Sequence, residues 1–183
     1  KPEELAAPLA YLMGRRDYER LISIENSDSL RSAIDNFWLS NIEDADRARR
    51  VIALYYERVE EANKQFSNFK EGWKTDMGMI YILFGPPLFT KRYLGGWIWS
   101  YSYDIANPEY HFRFIRPRTR RDPSFPFDHY LLERESGSFN IQSRQIHLWL
   151  SGNILEVSLA KAYQIGTGSD NHLSCGYFHF LCS

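Results

Sequence analysis

The segment Gly72-Trp73-Lys74-Thr75-Asp76-Met77-Gly78-Met79-Ile80-Tyr81-Ile82-Leu83-Phe84-Gly85-Pro86-Pro87, GWKTDMGMIYILFGPP, decides how this chain is divided. Upstream of it the apolar residues recur at steps of three and four. From about Glu43 to Phe69, Ala45, Ala48, Ile52, Tyr55, Val59, Ala62 and Phe66 form one stripe, predicting an amphipathic helix of about seven turns. Its other face carries Arg50, Glu57, Arg58, Glu61 and Lys64, read as a solvated face with neighbour pairs such as Arg58 and Glu61. Within the segment, Ile80, Ile82 and Phe84 alternate with Tyr81 and Leu83, which reads as a strand buried on both sides and stopped by Gly85-Pro86-Pro87. The joint itself is expected to be structural. Gly72 is placed to close the helix in a left-handed conformation, Trp73 to fold back on its last turn, Thr75 and Asp76 to bond nearby backbone N–H groups, and Gly78 to give a tight turn.

Working outward, residues 2 to 13 predict a short helix disturbed by Pro8, and Gly14 to Asp17 a polar bend. Ser27 is expected to cap a second helix through Leu30, Ile34, Phe37 and Trp38. Downstream, Trp97 to Tyr103 and Tyr110 to Ile115 read as strands whose short links favour antiparallel neighbours. Residues 116 to 135 read as a long proline-interrupted loop that becomes ordered near Tyr130-Leu131-Leu132, and Asn140 to Leu150 as a helix ended by Ser151-Gly152. The fold class expected is α+β: N-terminal helices, one of them long and amphipathic, then a small, mainly antiparallel sheet and a C-terminal helix. Residues 1–70 form the helical segment and 71–155 the α+β part, which makes one domain with 28–70; 156–183 are a tail of uncertain structure.

Composition narrows the function classes. At 183 residues the chain can bury about 70% of its unfolded surface without disulfide or metal staples. The 22 Lys and Arg nearly cancel the 23 Asp and Glu, so no global field recruits nucleic acid or an anionic membrane. No apolar run reaches the length of a bilayer span, and no signal segment opens the chain. Because it begins at Lys1 rather than Met, a trimmed piece of a longer protein is expected.

Four groups of residues are binding or catalytic candidates. Trp97, Trp99, Tyr101 and Tyr103 share one face of a strand, either as a platform for sugar or peptide or as core beneath helices. Arg116, Arg118, Arg120 and Arg121 offer forks for phosphate, acidic glycan or carboxylate, or a solvated loop. His172, Cys175, His179 and Cys182 are a weak metal candidate of zinc-favoured types; a local Cys175–Cys182 disulfide and an idiosyncratic tail with free thiols are the other readings. Asp76, with a distant His111, His129 or His147 or a second carboxylate, is the one hydrolytic pairing left open; nucleophile-elbow, HExxH and phosphate-loop patterns are missing. No catalytic residue and no cofactor is assigned.

The motif Gly72-Trp73-Lys74-Thr75-Asp76, followed by an apolar segment and Gly85-Pro86-Pro87, resembles the GWxTD domain family of Bacteroidetes-type envelope proteins, which has no established activity. Phe37-Trp38, Arg50, Tyr55 to Val59, Ala62-Asn63 and Phe66 extend the resemblance upstream; Pro126 to Asp128, Tyr130, Leu132 to Arg134, Trp149 and Gly152 extend it downstream, covering residues 28 to 155. Members often carry basic residues where this chain has Met77 and Met79, and an acid where it has Leu88. The order of strand, GPP and aromatic strands is also loosely like small outer-membrane assembly lipoproteins. The family resemblance implies an exported, often lipid-anchored protein of the periplasm or outer-membrane surface. The implied role is a non-catalytic interaction module for an envelope protein or glycan partner, with an enzyme on envelope glycans or peptides as the alternative. Membrane attachment would come only from an anchor elsewhere.

Overall fold

A computed structural model describes residues 1–102, 110–117, 129–134 and 138–158. Helix α1 (Pro2–Ala6) starts on Pro2, whose missing N–H has no partner to lose at a helix start, and Pro8 tightens the chain into a 3₁₀ turn (Ala7–Tyr11). The carbonyls of this irregular stretch are met by tyrosine hydroxyls: Tyr56 donates to Leu5 O (2.7 Å), Tyr18 to Ala7 O (3.1 Å) and Tyr55 to Pro8 O (2.6 Å). Residues 14–17 do not form a bend. Gly14 precedes α2 (Arg15–Ile22), whose surface pairs Arg15–Glu19 and Arg20–Asp17 lie one turn apart. Helix α3 (Ser27–Asn41) is capped by Asn26 rather than Ser27, through the Asn26 side chain and Ser29 N–H.

Helix α4 (Ala45–Phe66) is the long rod, capped by Asp44 on Arg47 N–H (2.7 Å). Of the predicted stripe it buries Ala48, Tyr55, Val59 and Ala62, with Ile52 and Phe66 half-buried and Ala45 exposed, and it buries Val51 and Arg58 in addition. Glu61 pairs with Lys64 at 3.0 Å, so the expected solvated Arg58–Glu61 couple is replaced by a buried cation.

The segment after the joint is a helix and not a strand: α5 runs Asp76–Phe84. Its near-continuous apolar run reflects burial on almost every side, with Ile80, Ile82, Leu83 and Phe84 in the core. The likeness to small assembly lipoproteins thereby loses its first strand.

The sheet comprises β1 (Phe89–Tyr93), β2 (Gly96–Ser100), β3 (His111–Ile115) and β4 (Leu131–Leu132), antiparallel in that order. Its inner face sets Trp99, Tyr101, Phe112, Phe114 and Leu132 against the helices, with ring centroids 4.8 Å apart for Phe84–Phe112 and 5.4 Å for Phe66–Trp99. Helix α6 (Ser138–Leu150) closes the core, and Trp149 meets Tyr55 edge-on at 5.2 Å. The architecture is α+β, with helices leading, a small antiparallel sheet and a returning helix.

Candidate functional site

The GWKTD segment lies where α4, α5, β4 and the N-terminal 3₁₀ turn meet. At the end of α4, Ser67 Oγ donates to Asn63 O (2.7 Å) and accepts from Gly72 N–H (2.9 Å), while Asn63 Oδ1 accepts from Trp73 N–H (3.0 Å). These bonds fold residues 67–72 back onto the rod. Gly72 is needed for close approach rather than for a left-handed turn: its φ is not positive, and a Cβ there would overlap the Ala62 carbonyl.

Thr75 caps α5. Its Oγ1 donates to Gly72 O (2.7 Å) and accepts from Gly78 N–H (2.9 Å). Gly78 sits inside the first turn of α5, where a Cβ would overlap the Gly72 carbonyl. The two motif glycines are thus stacked, Gly72 on the backbone of α4 and Gly78 on Gly72. Trp73 is half-buried, edge-on to Tyr11 at 6.0 Å with Lys74 over its ring, and its carbonyl accepts from the Tyr11 hydroxyl at 2.5 Å. Asp76 does not bond the local backbone: Oδ2 accepts from Leu132 N–H (2.7 Å), 56 residues away, and holds β4 on the start of α5.

The other end of α5 is a second junction. Gly85 takes φ 77°, and a Cβ there would stand 2.9 Å from the Arg58 guanidinium. Arg58 Nη1 donates to Ile82 O (3.2 Å) and Leu83 O (3.3 Å), Nη2 donates to Ser158 Oγ (3.1 Å), and the guanidinium lies 5.0 Å from the Trp149 ring. Leu83 O also accepts from Gln145 (2.8 Å) and Trp149 Nε1 (3.0 Å), while Gly85 O accepts from Tyr101 (2.8 Å). Burial pulls the Arg58 pKa down to about 10, against the fields of Tyr101, Tyr81 and Glu57, so it stays a cation at neutral pH. The exposed carbonyls of a helix C-terminus favour a positive charge, which makes Arg58 the cap of α5. Sequence reasoning put this residue on the solvated face and missed its role, because it lies beside charged neighbours on α4.

Of the aromatic candidates, Trp99 and Tyr101 are buried in the core, Trp97 is half-buried with Arg92 over its ring at 5.4 Å, and Tyr103 lies outside the described residues. Of the arginines, Arg116 is exposed and lies 5.7 Å from the Tyr130 ring; Arg118, Arg120 and Arg121 lie outside the described residues, as do His172, Cys175, His179 and Cys182. Pro86 and Pro87 form the link from α5 to β1. His111 Nδ1 bonds Ser100 Oγ at 2.8 Å, His147 is exposed on α6, and His129 stands edge-on to Phe69 at 5.1 Å, its buried Nδ1 having no hydrogen-bond partner among the described residues.

Asp76 acts through space on two groups. The Tyr11 pKa is raised, first by burial and then by Asp76; that of His129 is lowered by burial and Lys70, with Asp76 opposing. A shallow depression of about 520 Å3, lined by Ser67, Asn68, Phe69, Lys70, Glu71 and Lys74, lies alongside. Among the described residues no three His, Cys, Asp or Glu side chains gather as metal ligands, and no helix is long and apolar enough to cross a membrane.

Comparison with curated proteins and with solved structures returns no match. The sequence model of the GWxTD domain matches residues 1–151, taking in the first 27 residues as well as the stretch whose motif prompted the resemblance. With most of its length matched and its motif residues forming the junction between helices and sheet, the chain belongs to the GWxTD domain family.

Proposed function

We propose that this domain is a non-catalytic interaction module of a bacterial cell-envelope protein, exported to the periplasm or outer-membrane surface, that holds a protein or glycan partner. One observation carries the reading: the polar groups of the signature are engaged inside the fold. Thr75 Oγ1 both donates and accepts, and Asp76 bonds a strand N–H. Residues occupied in this way define a scaffold, and partner recognition falls to the surface that the scaffold presents.

A second reading, an enzyme acting on envelope glycans or peptides, draws on the through-space influence of Asp76 on Tyr11 and His129. The two separate on Asp76→Ala. The module reading expects no turnover of a peptidoglycan and polysaccharide panel by the wild type, and a lower melting temperature in the variant because Leu132 N–H loses its acceptor. Turnover by the wild type that Asp76→Ala abolishes at unchanged melting temperature would establish the enzyme instead.

A further inference from the structure

Among the described residues, one edge of the sheet is left open. β1 ends the strand order, pairs among the described residues only with β2, and is exposed at all five positions. Its hydrogen-bonding phase follows from its neighbours. Arg116 N–H donates to Gly95 O and Tyr101 N–H to Tyr110 O, so the β2 residues bonded to β3 are Trp97, Trp99 and those in phase with them. Gly96, Ile98 and Ser100 then bond to Tyr93, Lys91 and Phe89 of β1. Thr90 and Arg92 are left with N–H and C=O groups directed away from the sheet, the template for an added strand.

Side chains define what fits. Residues 77–103 contain Lys91 and Arg92 and no acid, and neither basic group has an ion pair among the described residues. Tyr93 (36% exposed) and the hairpin-tip Leu94 (108%) add apolar surface, continued across the outer face by exposed Ile115 and Leu131. A second copy fits poorly. Antiparallel pairing of two β1 edges centred on Lys91 sets Lys91 against Lys91, and like charges directly opposite are destabilising.

We propose that the β1 edge binds an extended segment of a different protein, carrying carboxylates that face Lys91 and Arg92, as an additional strand of the sheet. This rests on the interaction-module reading and names its surface.

The direct test uses a fluorescein-labelled octapeptide of valines with adjacent glutamate pairs, whose carboxylates point to opposite faces as Lys91 and Arg92 do, with lysine in place of glutamate as the control, followed by anisotropy on the full chain. The acidic peptide is expected to bind at least about tenfold tighter than the basic one, because both cations lie at the edge. Lys91→Glu/Arg92→Glu should reverse the order. Thr90→Pro, which removes an outward donor without touching the β1–β2 ladder, should weaken binding about tenfold at unchanged circular dichroism. Equal binding of the two peptides, no saturable binding, or indifference to Thr90→Pro would overturn the proposal.

In cells, a benzophenone amino acid placed at Tyr93 of the full-length protein should crosslink to an acidic segment of another protein, and one placed at Leu39 on α3 should not. Crosslinks from Leu39 alone would leave the module reading standing and remove the β1 edge. Crosslinks from Tyr93 to a second copy, or to residues 159–183 of the same chain, would also overturn the edge proposal. No adduct from either site would count against both.

Discussion

At the residue scale, the signature is explained by what each position lacks or accepts. Gly72 and Gly78 are required because two carbonyls stand where their Cβ atoms would be, and the atoms in the way are backbone, which cannot rotate aside. Gly78→Ala is therefore expected to cost about 3 kcal/mol or more, since α5 must lift from Gly72 to admit one methyl. Gly95→Ala, whose Cβ would meet only the Tyr93 ring at 3.4 Å, should change stability by about 1 kcal/mol or less. Urea unfolding of the two variants checks the contrast. The sequence named these glycines but not their reason. Turn chemistry is local and can be read from neighbours, whereas a close approach between backbones, like the bond from Leu132 to Asp76, depends on residues far away in the chain.

His129 gives a residue-scale prediction in pH. Its folded pKa lies below the ordinary 6.5, so the fold favours the neutral ring. The contribution is complete above about pH 6.5 and is lost as pH falls through that value toward the lower folded pKa. Melting temperatures between pH 8 and 5 should decline on the acid side, with a shallower decline in His129→Gln. The half-exposed position keeps the difference small.

At the scale of elements, the instructive case is α5. Its apolar run alternates well enough to imitate a doubly buried strand, and a short run buried on all sides carries no helical period to contradict that. The deciding information lay at its ends. Thr75 with Asp76 behind it is a helix start, and Gly85 before two prolines is a helix stop. The long rod α4 was legible because one side of it faces water and the stripe survives, and the β2–β3 pair because its inner aromatics alternate strictly.

Arg58 was illegible for the opposite reason: a charged residue beside other charges reads as surface until the carbonyls of α5 are placed over it. Arg58→Ala is expected to cost about 3 kcal/mol, by leaving Ile82 O without this donor and removing the face contact with Trp149. Arg58→Lys should recover only part of this, because an ammonium cannot span both carbonyls and Ser158 while lying flat on the indole. Thermal unfolding of the pair separates geometry from charge: full rescue by Lys would mean that charge alone matters.

At the scale of the whole molecule, the motif ties four elements into one body. α4 carries Gly72, Gly72 carries Gly78 and α5, Asp76 carries β4, and the Trp73 carbonyl receives Tyr11 from the N-terminal turn. The family resemblance and the α+β class could be read from the sequence before any coordinates. The open β1 edge could not, because a strand's position in the sheet order is a property of topology rather than composition.

The most direct test of the junction is native-state hydrogen exchange, reading the amides of Trp73, Gly78 and Leu132 against those of Val51 and Tyr55 in the middle of α4. If the signature is the joint that unites rod and sheet, all five exchange through the same opening with the same free energy, and Thr75→Val, which removes the acceptor of Gly78 N–H, lowers the other four together. Motif amides that exchange several kcal/mol more easily while α4 stays protected would show that the signature hangs on the fold without holding it.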